Sequence, residues 1–219
     1  EDEDIVEAEI IEDEDEDGSG GAAAGAGASG VTASVAQAAT TSVSGGGTTA
    51  ATTSGATSCT EYTSGSYGIT AGKVLDPSLS WSVFPPGGNQ LVPMSPADFY
   101  DCDGARGIHA LLIIGGSSSC GACQAEANAL PSHHASFTAK GIVVVYLMLD
   151  GSASQWRDYF DLDQIHVGND PNYGLLVPGS NGTPINLIVD PRDMSIVART
   201  NGFSNDFSQL EALATQNGG

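Results

Sequence analysis

The stretch that leaves this chain least freedom is an apolar run that breaks into a turn of small residues carrying two cysteines. Ile108-His109-Ala110-Leu111-Leu112-Ile113-Ile114 is followed by Gly115-Gly116-Ser117-Ser118-Ser119-Cys120-Gly121-Ala122-Cys123-Gln124-Ala125-Glu126. A run without polar alternation suits a strand buried on both faces. From Gly121 to about Lys140 the chain is Ala-rich and interrupted only by Pro131, which predicts a helix. The next apolar run, Gly141 to Asp150, predicts a second central strand, parallel to the first and reached by a right-handed crossover.

A cysteine where a helix begins faces unpaired backbone N–H groups and the positive end of the macrodipole. Its thiolate is favoured and its pKa falls. Cys120 is therefore the expected nucleophile. Cys123 lies one turn deeper, within disulfide reach, and is the expected resolving thiol. Two other readings fit these residues alone: half of a zinc site, or a permanent short-range disulfide. Zinc would want a second CxxC or a His pair at ligand spacing, and Cys59 and Cys102 are not spaced as such a pair.

From about Tyr67 to Phe203 the chain resembles the thioredoxin superfamily, and within it the exported TlpA/ResA-like branch of thiol-disulfide oxidoreductases. The likeness rests on Cys120, Cys123 and Glu126 in a CxxCxxE pattern and on Thr183-Pro184 opening the apolar strand Ile185-Asn186-Leu187-Ile188-Val189. It implies an α/β thioredoxin-like fold, a central mixed sheet flanked by helices. It also implies a cis Thr183–Pro184 bond beside the cysteines, with Thr183 offering backbone to an extended substrate, and Glu126 as proton acceptor for Cys123. The alternative for Glu126 is a solvated helix residue. Three positions depart from family habits: Ser119 stands where many members have Trp, Ile114 where thioredoxin has a buried Asp, and Gly121-Ala122 replaces Gly-Pro.

The remaining elements follow from local pattern. Leu79 to Phe84 alternates as a half-exposed strand, Pro85-Pro86-Gly87-Gly88 is a turn, and Ser95 to Tyr100 is a short helix opened by an N-cap serine and Pro96. Ser154 to Phe160 reads as a helix, His166 to Asp170 as a short strand, and Ile185–Val189 with Ser195–Thr200 as a hairpin turning at Asp190-Pro191-Arg192-Asp193. A last amphipathic helix spans Asn205 to Thr215 and presents Phe207, Leu210, Leu213 and Ala214. Trp81, Phe84, Phe99 and Tyr100 read as core. His133-His134, placed late in the cysteine helix, reads as a C-terminal cap or solvated pair rather than a metal ligand. His166 as third ligand of a copper site like that of the Sco-type chaperones lacks the matching cysteine spacing, and Ser117-x-x-Cys120 lacks the proline of a peroxiredoxin.

Outside this region the composition changes. Residues 1–17 hold twelve acids and no bases, a self-repelling block expected to be disordered, unless Ile5-Val6 and Ile10-Ile11 add a strand to a partner or the carboxylates gather cations. Residues 18–58 are nearly all Gly, Ala, Ser and Thr and cannot offset their chain entropy, so they are expected to form a flexible tether, also suited to O-glycosylation. The folded domain is expected over 59–219. That folded part still holds fifteen acids against six bases, which argues against nucleic acid and anionic membranes as partners. No apolar run is long enough for a helical span, and the chain reads as a trimmed, exported product with a possible tether at its N-terminal end. In an exported chain an even cysteine count suggests that Cys59 pairs with Cys102, two buried free thiols being the alternative.

The expected function is thiol-disulfide exchange with protein thiols and disulfides, recharged by an upstream redox partner, without cofactor or metal. The rival is a tethered binding or structural module whose Cys120–Cys123 bridge stays closed.

Overall fold

The computed structural model describes Cys59, residues 61–177 and residues 182–218, so the expected acidic tail and tether lie outside the described residues. In chain order the elements are β1 (Tyr67–Gly68), β2 (Val74–Leu75), β3 (Trp81–Phe84), β4 (Val92–Met94), a 3-10 turn (Pro96–Phe99), β5 (Ala110–Gly116), α1 (Gly121–Ala139), β6 (Ile142–Met148), α2 (Ala153–Tyr159), β7 (His166–Asn169), β8 (Ile185–Val189), β9 (Ile196–Asn201) and α3 (Ser208–Gly218).

Strands β3 to β9 form one mixed sheet in the order β4-β3-β7-β6-β5-β8-β9. Strand β5 is buried along its whole length and pairs parallel with β6 on one side and antiparallel with β8 on the other. With α1 crossing between β5 and β6, and the β8–β9 hairpin followed by α3, this is a thioredoxin-like fold. Alternation along the strands splits the core in two. Leu112, Ile114, Val144, Tyr146 and Met148 face residues from all three helices, among them Leu130, Trp156 and Leu210. Leu111, Ile113, Val145 and Leu147 face the opposite layer, which the chain before β5 covers with Leu75, Trp81, Val83 and Phe99. Trp81 and Phe99 are thus core, with Phe84 and Tyr100 packed at its margins.

The short helix opened by Ser95 is present as a 3-10 turn over Pro96–Phe99, with Pro96 first and Asp98 Oδ2 accepting from the Ser95 N–H at 2.6 Å. Two local expectations are corrected. The last helix starts at Ser208, because Asp206 Oδ1 captures the Ser208 N–H at 3.0 Å; Phe207 stands outside it and packs edge-on against Phe137 at 5.1 Å. His133 and His134 are not at the end of α1, which runs on to Ala139 before Gly141 turns the chain at φ +67. The His133 ring instead stacks on Phe137 at 5.5 Å and meets Phe207 at 4.9 Å, while His134 Nε2 lies 3.3 Å from the Thr138 hydroxyl one turn on. Packing, not the helix dipole, accounts for the first of them.

Candidate active site

The parallel strands β5 and β6 end side by side, at Gly116 and Met148, and the turn leaving β5 delivers Cys120 to the start of α1. Gly116 is required there: any Cβ would run into the Tyr146 ring. Cys120 is the N-cap itself, with extended backbone, and its Sγ accepts the Cys123 N–H at 3.1 Å. Such a contact holds negative charge on sulfur once the thiol is free. The two cysteines are disulfide-bonded with Cα atoms 5.2 Å apart. They are unequal, because Cys123 is wholly buried whereas Cys120 is only partly so. Thr183 and Pro184 sit beside the outer sulfur: their peptide bond is cis, and the Thr183 carbonyl oxygen lies 3.3 Å from Cys120 Sγ.

Glu126, one helical turn beyond Cys123, points inward and is 1% exposed, so the solvated alternative is excluded. Burial pushes its carboxyl up to about 8, opposed by a hydrogen bond from the Asn186 side chain. Tyr146 stands next to it and donates its hydroxyl to the Cys123 carbonyl at 3.2 Å; burial first, then the Glu126 charge, raise the Tyr146 phenol. Across the mouth of the site, Asp150 Oδ2 accepts from Ser117 Oγ at 2.6 Å and Oδ1 from the Ser118 N–H at 2.7 Å. These bonds hold its carboxyl below the usual range and tie the cysteine turn to the loop after β6.

Glu126 makes stability depend on pH. Its folded-state pKa lies above the unfolded value, so between about 4.5 and 8 the folded chain binds more protons and stability falls as pH rises. Each tenfold difference in proton affinity between the folded and unfolded chain is about 1.4 kcal/mol, so the loss amounts to roughly 5 kcal/mol at most. Glu126→Gln is expected to remove that slope and to be the more stable protein above pH 8. Denaturant unfolding at pH 5 and pH 9 checks it; parallel pH trends in the two proteins count against a buried acid.

The other expected residues fall elsewhere. Cys59 and Cys102 are disulfide-bonded to each other, Cα atoms 5.6 Å apart. The His166 ring packs edge-on against Phe99 at 5.3 Å, and burial lowers its pKa. Among the described residues no three His, Cys, Asp or Glu side chains gather as a metal site. Asn186, Asp150 and Tyr146 escaped the sequence reading. Only Asn186 left a trace there, as the one polar residue in the apolar run of β8.

Fold and site together define a thioredoxin-like domain with a Cys-x-x-Cys pair at a helix start. No protein-family model matches the sequence, and no curated protein matches it. Solved structures do resemble it. One is the thioredoxin domain of a thiol-disulfide oxidoreductase from Bacteroides vulgatus, at 19% identity over 67% of this chain and 99% of that one, with a TM-score of 0.48. A second is a secreted disulfide oxidoreductase from Mycobacterium tuberculosis, at 14% identity over 65% and 99%, with a TM-score of 0.46. A third is an exposed lipoprotein thioredoxin from Streptococcus pneumoniae, at 18% identity over 62% and 98%, with a TM-score of 0.43. The structural neighbours are thus thiol-disulfide proteins at low identity, and the chemistry of this chain is read from its own side chains.

Proposed function

We propose that this protein is a thiol-disulfide oxidoreductase acting on protein disulfides outside the cytoplasm. The observation that carries the reading is the inequality of the two sulfurs: Cys120 partly open to solvent, capping α1 and touching the Thr183 carbonyl, and Cys123 buried above Glu126. In the reduced protein the Cys120 thiolate attacks a substrate sulfur, and one substrate thiolate leaves. The resulting mixed disulfide lies in an extended pose along Thr183 and Pro184. Glu126 takes the Cys123 proton, the Cys123 thiolate attacks Cys120 Sγ, and the second substrate thiolate leaves. Two electrons pass to the substrate, and the chain is left with a Cys120–Cys123 bridge. Written backwards, the same steps oxidise a dithiol. An upstream dithiol partner would return the bridge to the reduced state.

In this reading residues 59–219 form the catalytic domain, and residues 1–58 hold it away from whatever it is attached to. Cys123→Ser is expected to accumulate mixed disulfides with substrate protein through Cys120, visible as non-reduced adducts on gels and by mass spectrometry. Wild type and variant both free of adducts, together with a bridge that resists mild reduction, would favour the closed structural module instead.

A further inference from the structure

Glu126 is 1% exposed, and the proton it takes from Cys123 has two ways to go: back to Cys123 when the bridge is next reduced, or out to solvent. The side that could release it is β8. Register pairs Asn186 with Ile114 of β5, which places Asn186 on the sheet face covered by α1, against Glu126. The Asn186 amide also donates to the Gly202 carbonyl at 3.3 Å. Two buried oxygens in this pair, Glu126 Oε2 and Asn186 Oδ1, have no protein donor. Such an acceptor is costly to bury unless a hydrogen reaches it, either the carboxyl's own proton or one from water. Behind Asn186 a cavity of about 280 Å³ opens between β8, β9 and the approach to α3, lined by Ile188, Ala198, Thr200, Asp206 and Phe207 among others. Several waters fit such a volume, at roughly 30 Å³ each.

We propose that Asn186 is a positioning residue and that this cavity is the proton port of Glu126. The inference rests on the oxidoreductase reading above and adds a route that the two cysteines and the acid do not contain. The Cys123 thiol gives its proton to the Glu126 carboxylate, the carboxyl passes it to water held by Asn186 Oδ1, and that water passes it through the cavity to solvent. No electrons move in these transfers. The titratable groups around Glu126 are Cys123 on its own helix, Tyr146 on β6 and, at the cavity, Asp206 ahead of α3; β5 and β8 present Leu112, Ile114 and Asn186. A hydrogen bond to the carboxylate favours its charged form, so Asn186 also lowers the pH at which the base becomes available.

The test is stopped-flow oxidation of the reduced full chain by a peptide disulfide between pH 6 and 10. Asn186→Leu is expected to slow the resolving step about tenfold and to move its pH midpoint upward by about one unit. Ala198→Leu narrows the cavity from β9 and touches neither group; it is expected to slow the same step about threefold with the midpoint unmoved, and it decides the matter alone if Asn186→Leu does not fold. A folded variant that matches wild type in both rate and midpoint overturns the port. A wild-type protein that fails to react with the peptide disulfide overturns the oxidoreductase reading instead.

Discussion

Cys120→Ser is expected to abolish disulfide exchange, with insulin reduction by the variant falling to the rate of the dithiol donor alone, a loss of at least about a thousandfold. The size follows from the chemistry. A hydroxyl at this position is not ionised near neutral pH and forms no stable bond to a substrate sulfur, so neither the helix start nor the Cys123 N–H has a charge to stabilise. Everything else stays in place: the side chain is only partly buried, and serine is itself a favoured N-cap, so unfolding should be little changed beyond loss of the bridge. The contrast with Cys123→Ser makes the result specific. That variant keeps the attacking sulfur and stalls one step later, as a covalent adduct. Turnover by Cys120→Ser at roughly a tenth of the wild-type rate would mean that another group attacks, and the mechanism would fall.

The second large effect is on stability. The Cys59–Cys102 bridge closes a loop with a sequence separation of 43. On the chain-entropy account, opening it should cost about 4 kcal/mol, and a domain of this size should then melt about 10 °C lower. The loop is one of the segments that covers the second core, through Leu75, Trp81, Val83 and Phe99, so its loss of restraint would be felt at the sheet. The bridge sits by local packing that alone is modest: Tyr62 and Tyr100 rings 5.4 Å apart, and Thr63 Oγ1 3.1 Å from the Tyr100 hydroxyl. Cys59→Ser with Cys102→Ser is expected to show the drop by calorimetry while exchange at room temperature persists. Peptide mapping of the unreduced wild type should yield a Cys59–Cys102 linked peptide. A double variant that melts with wild type would show that the loop is held by its side chains alone.

What could be read from the chain was whatever depends on neighbours in sequence. Unbroken apolar runs marked β5 and β6; the small-residue turn and the Ala-rich stretch after it put Cys120 at a helix start; the spacing of three put Cys123 one turn away. Glu126 shows where that reasoning stops. Helical periodicity places it on the face of Cys123, but not which face the sheet covers, and the same spacing served a solvated residue equally well. Burial, and with it a carboxyl raised to about 8, came from the fold. His133 failed for the same reason, since its aromatic partners include Phe207, far along the chain. Asp150 and Asn186 were hidden more completely, because their meaning is a matter of register: one faces Ser117 and Ser118 across the ends of parallel strands, the other faces Ile114 across an antiparallel pair. Local sequence set the reacting sulfurs and their helix; only the pairing of distant strands decided which polar groups surround them, because a hydrogen-bonded partner is chosen by distance in space.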